Sequence, residues 1–216
     1  MKRIITIVVV GVLMAFGSFQ AMAQSFNAGV IAGATFCQVD GDHYAGFHQL
    51  GLTGGVYANL PLDDYFSAQM ELKYSLLGAH SSDKEVNEYY YDSYSLRLHY
   101  AEIPLMLRCN LGVFRLNGRP LDFITLEAGA SLDFRLRATE DVNGDDQVTT
   151  SRWNFFSATA NGGVHFAFTE HWGLGARFMY SVVPCRFSGY PGWFYYQYYN
   201  KVIQITLTYN INSPVR

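Results

Sequence analysis

The sequence predicts an all-β protein, a closed eight-stranded antiparallel up-and-down transmembrane β-barrel. The clearest observation is near the end of the chain, where apolar and polar residues alternate without interruption from Ile203 to Asn212. This period of two gives a strand one apolar face and one polar face. The chain also begins with an export signal, and the rest of it repeats the alternation with no helical period. Together these observations are typical of a barrel that crosses a membrane with strands.

Residues 1–23 have the three parts of a signal peptide. Lys2-Arg3 is a positive pair, residues 4–16 form an apolar core, and Ala21-Met22-Ala23 is a small-x-small cleavage site. An N-terminal membrane anchor is the alternative, but the apolar run is short for a bilayer span. We therefore expect cleavage of this segment and a barrel domain over residues 24–216.

The composition excludes several classes of protein. Without Lys2 and Arg3, the 15 Lys and Arg residues fall to 13 against 18 Asp and Glu residues, a formal charge of −5. Nucleic-acid binding needs a basic surface and is not expected. No later apolar run approaches the roughly 20 residues of a transmembrane helix. The 16 Tyr and 16 Phe residues suit two interfacial aromatic belts.

Eight segments carry the alternation, and most are at least as long as the roughly nine to eleven residues of a tilted membrane strand. A soluble β-sandwich is the alternative, but its strands are usually about five or six residues long. The predicted strands are about Phe26–Cys37, His48–Leu60, Tyr65–Gly78, Tyr94–Leu111, Leu121–Thr139, Asn154–Phe168, Trp172–Val183 and Tyr196–Asn212.

The predicted connections alternate between short and long. Residues 61–64 and 169–171 are tight turns, and residues 112–120 are intermediate in length. The longer connections are residues 39–47, 79–93, 140–153 and 184–195. Short periplasmic turns with longer outer loops are the outer-membrane pattern, and an even number of strands places both termini in the periplasm. We therefore expect a cell outer membrane location, with outer-membrane lipid around the barrel.

The alternation also assigns charged residues to the interior of the barrel. The lumen of an eight-stranded barrel is filled by side chains, and buried charges must be paired. We therefore interpret these residues as a network of internal salt bridges that plugs the lumen; a narrow ion path and a catalytic carboxylate are the alternatives. The predicted interior set is Glu71, Lys73, Glu102, Arg108, Glu127, Asp133, Arg135, Arg137, Arg177 and His165.

The predicted fourth strand changes parity along its length. Ile103 and its apolar neighbours face lipid in this assignment, whereas Leu96 and Leu98 have the opposite parity. An extra residue in a strand moves every following side chain to the other face. We therefore expect a β-bulge near Tyr100-Ala101.

Two motifs of the chain resemble the PorT-like outer-membrane β-barrel family of the Bacteroidetes type. They are Met70-Glu71-Leu72-Lys73-Tyr74-Ser75 followed by Gly78, and Tyr100-Ala101-Glu102-Ile103-Pro104-Leu105. Less specific matches are Gly29–Phe36, Gly46–Val56 and Leu126–Ala130. The resemblance implies an eight-stranded barrel inserted by the barrel-assembly machinery. It implies no single activity, although some members belong to an envelope secretion apparatus, which is one alternative for this chain.

One segment is similar to the start of a calcium-binding loop. Asp141, Asn143 and Asp145 have the spacing of its first three oxygen ligands. Asp146 stands where the glycine is required, and Arg152 stands where the bidentate glutamate is required. Because Asp/Asn/Gly segments are more commonly solvated turns, no metal or other cofactor is expected.

The three cysteines, Cys37, Cys109 and Cys185, are an odd number. In an oxidising compartment at least one of them stays free or pairs between chains. Cys37 and Cys185 both fall near outer strand ends, and the sequence leaves open whether they pair.

Two predicted outer loops are rich in aromatic residues. One alternative is that these residues belong to the outer aromatic belt. The other is a recognition surface for a glycan or an envelope protein, because Tyr and Trp are favoured in binding patches. The candidate recognition loop contains Tyr190, Trp193, Phe194, Tyr195 and Tyr196, and the second aromatic loop contains Tyr89, Tyr90, Tyr91 and Tyr94.

An enzyme at the outer rim is the rival class of function. Outer-membrane barrels can carry a Ser, a His and an acid there, but no nucleophile motif frames the residues available in this chain. The six His residues also lack metal-ligand spacing. We therefore expect no enzyme; the rim candidates are His43, His48, His80, His99, Ser81, Ser82 and Ser95.

Overall fold

A computed structural model describes residues 26–41, 46–81, 93–116, 118–148, 153–188 and 196–212. The described residues form strands joined by turns and bends. The ten strands are β1 (Asn27–Asp40), β2 (Gln49–Pro61), β3 (Phe66–His80), β4 (Tyr94–Leu116), β5 (Arg119–Val142), β6 (Asp145–Val148), β7 (Phe156–Ala167), β8 (Trp172–Ser181), β9 (Arg186–Ser188) and β10 (Tyr196–Asn210).

Eight of these strands form one closed antiparallel ring. Each long strand pairs with the next one along the chain, in the order β1-β2-β3-β4-β5-β7-β8-β10. The ring closes where β1 pairs with β10, from Gly29 opposite Asn210 to Asp40 opposite Tyr199. The two short strands are not members of the ring: β6 pairs with β5, and β9 pairs with β10. The predicted eight-stranded up-and-down barrel is therefore confirmed.

The two ends of the ring differ. At one end lie the start of β1, the end of β10 and the connections 61–66, 116–119 and 167–172; we call it the turn end. The connections after β1, β3, β5 and β8 lie at the opposite end, which we call the loop end. The connections at the loop end are the longer ones, as the sequence predicts.

The strands present an apolar surface outward. Leu105 of β4 is 63% exposed and Met70 of β3 is 57% exposed, and these two residues are direct cross-strand partners. The intervening residues Glu71 and Met106 are almost completely buried. An exposed apolar band around a polar interior is the arrangement of a barrel in lipid. None of the described residues form a helix that is long and apolar enough to cross a membrane.

The pairing of β4 with β5 shifts register between His99 and Tyr100. The shift occurs where a bulge was predicted, but the extra residue is Leu136 of β5, because His99 pairs with Arg137 and Tyr100 pairs with Arg135. The shift therefore reverses the parity of β5 rather than that of β4. Arg137 consequently faces outward and is exposed, so its assignment to the interior was wrong.

Strand β4 keeps one parity along the barrel. Its pairing with β3 is continuous in register from His80–Ser95 to Phe66–Cys109. Leu96 and Leu98 are therefore on the same face as Glu102, and both are buried inside the barrel. The inward parity of these two leucines therefore reflects an apolar section of the lumen, and the strand does not change face.

None of the three described cysteines, Cys37, Cys109 and Cys185, forms a disulfide, and Cys37 and Cys185 are buried. Both buried cysteines belong to one apolar cluster inside the loop end. Burial of this kind is typical of cysteine acting as a small apolar residue.

The seam between β1 and β10 depends on a glycine. A Cβ atom at Gly33 would meet the carbonyl oxygen of Ile205 and would lie 2.8 Å from the Cα atom of Thr206. These are backbone atoms, which can move only if the two strands separate. Gly54 on the neighbouring strand is a matched control, because the nearest atom to its added Cβ, the Ile31 carbonyl oxygen, is 3.7 Å away.

We expect Gly33→Ala to lower the free energy of unfolding by about 1–3 kcal/mol, the usual cost of overpacking. Gly54→Ala should change it by less than about 0.5 kcal/mol. Urea unfolding of the two variants in lipid vesicles, followed by tryptophan fluorescence, measures the difference. Equal stability of both variants would contradict the tight seam at Gly33.

Candidate functional site

The candidate functional site is the lumen, where charged side chains from four strands meet. Glu71 of β3 is at the centre, and its side chain is fully buried. Arg177 of β8 donates from Nη1 to Glu71 Oε2 and from Nη2 to Glu71 Oε1, both at 2.9 Å. This two-point pairing is the strongest geometry available to a guanidinium and a carboxylate.

The same arginine begins a closed ring of polar contacts. Arg177 Nη2 also donates to Glu127 Oε2 at 2.8 Å, and Glu127 Oε1 lies 2.9 Å from Arg108 Nε. Arg108 Nη1 donates to Gln69 Oε1 at 2.6 Å, and Gln69 Nε2 donates to Glu71 Oε1 at 2.6 Å. We call these five residues the charge ring. It ties β3, β4, β5 and β8 together across the lumen.

A second group lies on the loop-end side of the ring. The Lys73 ammonium is 3.5 Å from Glu71 Oε2 and 3.3 Å from Glu102 Oε2, and it donates to Gln204 Oε1 at 3.1 Å. Ser75 Oγ donates to Glu102 Oε2 at 3.0 Å. Lys73 therefore bridges two buried carboxylates, which keeps both of them neutralised.

Asp133 and Arg135 are inside the barrel but lie apart from the charge ring. Asp133 is the direct cross-strand partner of Glu102, and hydroxyl groups hold its carboxylate. Ser131 Oγ donates to Asp133 Oδ1 at 2.7 Å, and Thr159 Oγ1 donates to Asp133 Oδ2. Arg135 Nε donates to the carbonyl oxygen of Asn154 at 3.0 Å, so it fixes a loop-end connection.

The turn end of the lumen holds a polar cavity of about 690 Å³. Arg108, Gln69, Tyr57 and His165 are among its lining residues. Tyr57 OH donates to Asn210 Oδ1, and His165 Nε2 lies 2.9 Å from Thr208 Oγ1. The charge ring is the inner limit of this cavity, which therefore stops partway along the barrel.

The loop end of the lumen is filled by apolar side chains, which we call the apolar seal. It is centred on Tyr100, which is fully buried, and the Asn200 amide is 3.5 Å from its hydroxyl group. Burial of these apolar groups stabilises the folded barrel. The seal consists of Cys37, Val39, Leu77, Ala79, Leu96, Leu98, Tyr100, Ala138, Trp153, Met179, Cys185 and Val202.

One cation covers the seal at the mouth of the barrel. The Arg186 guanidinium lies 5.3 Å from the ring centres of both Trp153 and Tyr198. Glu140 Oε1 is 3.3 Å from Arg186 Nη1 and accepts from Trp153 Nε1 at 3.0 Å. Sequence periodicity could not reveal this group, because Trp153 and Arg186 lie in predicted loops, where no alternation indicates which side chains meet.

The calcium-like segment forms a two-residue hairpin turn instead of a loop around a cation. Val142 pairs with Asp145 across Asn143 and Gly144, both of which have positive φ. This is the geometry of an Asn-Gly hairpin turn. Asp141 and Asp145 fall on opposite faces of the hairpin, since Asp141 pairs with Asp146. The described residues contain no group of three or more His, Cys, Asp or Glu residues able to hold a metal ion.

The structure leaves part of the loop end undescribed. Of the candidate recognition loop, Tyr190, Trp193, Phe194 and Tyr195 lie outside the described residues, as do His43 and Ser82 of the rim candidates. Among the described rim candidates, His99 pairs with the Tyr74 hydroxyl at 2.6 Å, and Ser81 Oγ accepts from the Tyr94 backbone N–H at 3.0 Å.

The charge ring provides a direct test of the lumen. Glu71→Gln preserves shape but leaves the Arg177 charge without its two-point partner, so we expect the free energy of unfolding to fall by about 3 kcal/mol. Asp145→Asn, which neutralises an exposed carboxylate of the hairpin, should leave it unchanged. Urea unfolding in vesicles measures both; an unaltered Glu71→Gln protein would mean that the ring gives no net stability.

Several solved protein structures are similar to this chain. Neisserial surface protein A is 12% identical, with 87% of this chain and 97% of that chain covered and a TM-score of 0.51. Ail, the attachment invasion locus protein of Yersinia pestis, is 10% identical, with coverages of 86% and 98% and a TM-score of 0.48. CarO of Acinetobacter baumannii is 13% identical, with coverages of 83% and 96% and a TM-score of 0.43.

No curated protein sequence matches the chain. The family model described as "Outer membrane protein beta-barrel domain" matches residues 22–184, which is most of the chain. Its match covers the strands from β1 to β8 and therefore the residues of the charge ring. The chain belongs to the outer-membrane protein β-barrel domain family.

Proposed function

We propose that this protein is a structural or interaction barrel of the outer membrane rather than a pore or an enzyme. The observation that carries the proposal is that two different barriers lie in series in the lumen. The charge ring fills the middle of the barrel, and the apolar seal fills the loop end. Because a solute would have to break paired charges and then displace packed apolar side chains, the lumen is unsuited to transport. Specificity would then reside at the loop end.

We place the turn end in the periplasm and the loop end outside the cell. Even strand number brings both chain ends of the barrel to the turn end, where the connections are short. Export by the predicted signal peptide at residues 1–23, followed by insertion by the barrel-assembly machinery, is consistent with this orientation. The polar cavity then opens to the periplasm.

Conductance measurements test the blocked lumen. In planar lipid bilayers the refolded protein should give no large steady conductance. Tyr100→Ala removes the aromatic side chain at the centre of the apolar seal but leaves the charge ring intact. The lumen of this variant should therefore also stay closed to ions. Heat-modifiable gel mobility controls for correct folding of both proteins. A steady channel that passes small sugars in the unaltered protein would contradict the proposal.

The predicted recognition loop supplies the second test. We propose that aromatic residues of segment 190–196 bind a glycan or an envelope protein, because such residues bring large contact area at low entropic cost. A pull-down from cell envelopes should lose a defined partner when residues 190–196 are deleted. Deletion of residues 143–144, which shortens the exposed hairpin, is the matched control and should lose none.

Two outcomes would lead to other conclusions. If the barrel retains periplasmic and outer-membrane partners after the loop deletion, the PorT-like role in a secretion apparatus is favoured. If the partner list is unchanged and contains no secretion component, the aromatic residues belong to the interfacial belt. Either result would reject the recognition role of this loop.

A further inference from the structure

Three basic side chains lie together on the outward face of β4 and β5 near the loop end. His99 is directly opposite Arg137. Arg97, two residues before His99 on β4, is opposite Thr139. Cross-strand partners on one face are about 5 Å apart at Cβ, and diagonal neighbours are about 7 Å apart. Arg97, His99 and Arg137 therefore form one surface, which we call the basic patch.

The register shift at Leu136 creates this patch. With continuous alternation after Asp133, Arg137 would point into the lumen, beside Arg135. The extra residue turns Arg137 outward, where it is exposed, and Arg97 is exposed beside it. The fold therefore moves a cation from the balanced interior to the outer surface.

The two arginines of the patch have no carboxylate partner among the described residues. None of the ion pairs within 4 Å in this part of the structure includes Arg97 or Arg137. The outward acids farther along the same sheet are Asp141 and Asp146. Asp141 Oδ1 accepts from the Gly144 N–H at 2.8 Å, which commits it to the hairpin turn.

A second outward cation at the loop end behaves differently. Lys201 of β10 lies 2.9 Å from Asp40 Oδ2 and is 5.9 Å from the centre of the Tyr180 ring. Its charge is therefore neutralised within the protein. This contrast shows that the basic patch is not a general feature of the rim.

The basic patch begins where the lipid-facing apolar band ends. Outward residues of β4 on the turn-end side include the exposed Ile103, Leu105 and Leu107. Arg97, His99 and Arg137 continue this outward face toward the loop end. The outward face of a membrane barrel passes from its apolar band to the headgroup region toward each end of the barrel.

The surroundings leave the guanidinium groups accessible. Tyr74 OH contacts His99 Nδ1 at 2.6 Å and holds the imidazole against β3. Gly78 is the partner of Arg97 on β3, so no side chain stands beside Arg97 on that strand. Guanidinium groups bind phosphate oxygens through two parallel hydrogen bonds, with more specificity than a single ammonium.

We propose that the basic patch binds the phosphate groups of a phosphorylated glycolipid headgroup in the outer leaflet. The charge of the patch is complementary to phosphate, and the patch is continuous with the surface that already contacts lipid. The choice of the outer leaflet rests on the proposed orientation of the barrel. The binding assay below is made in detergent and does not depend on that orientation.

Native mass spectrometry of the refolded full barrel in detergent tests the proposal. Bis-phosphorylated lipid A is the probe; dephosphorylated lipid A, phosphatidylglycerol and inorganic phosphate are the comparison ligands. The unaltered protein should retain bis-phosphorylated lipid A at least about tenfold more tightly than the dephosphorylated form. Raising the salt concentration should weaken this binding, because exposed charges are screened.

Arg97→Gln combined with Arg137→Gln should weaken lipid A binding by about tenfold or more, since each cation near a lipid surface contributes attraction. Lys201→Gln is the matched control and should leave the affinity unchanged. The double variant Arg97→Lys with Arg137→Lys keeps both positive charges and should retain part of the lipid A binding. Heat-modifiable mobility of each variant shows that the barrel is folded.

Several results would overturn the proposal. Equal binding of phosphorylated and dephosphorylated lipid A would exclude phosphate recognition. Tighter binding of phosphatidylglycerol would assign the patch to a glycerophospholipid, and complete competition by millimolar inorganic phosphate would indicate a simple anion site. Failure of the proposed orientation is a separate result, which protease accessibility of the loop end in intact cells reveals.

Discussion

The structure depends on the neutralisation of charge inside a narrow barrel. Arg177 is nine-tenths buried and donates to both Glu71 and Glu127, so one cation is shared by two carboxylates from different strands. An unpaired charge in such a place carries a large desolvation cost. The requirement to pair these groups fixes which faces of β3, β5 and β8 turn inward. It therefore also decides which faces contact lipid.

The lumen is filled in two different ways. Its middle is closed by paired charges, and its loop end is closed by packed apolar groups around Tyr100. The polar cavity at the turn end extends inward as far as the charge ring, and its lining includes His165 and Thr208, whose side chains are 2.9 Å apart. This asymmetry gives the barrel one accessible and one sealed end. With a lumen that carries no solute, as we propose, function resides on the surfaces of the protein.

The outer surface of the barrel is also asymmetric. On one side Lys201 and Asp40 neutralise each other, whereas Arg97 and Arg137 lack such a partner among the described residues. A single extra residue, Leu136, turns Arg137 outward beside Arg97. β-bulges of this kind commonly redirect a side chain near a functional position. The bulge therefore connects the topology of the sheet to the chemistry of its lipid-facing surface.

The sequence by itself determined the strand count, the approximate strand bounds and the parity of most inward residues, including Glu71, Lys73 and Arg177. It did so because a period of two is a local property that survives in the linear chain. It could not determine the face of Arg137, because that depends on how β4 and β5 are aligned. The partners of Leu98, Trp153 and Arg186 were likewise hidden. These contacts join residues that are far apart in the sequence, and such contacts leave no periodic signal in the chain.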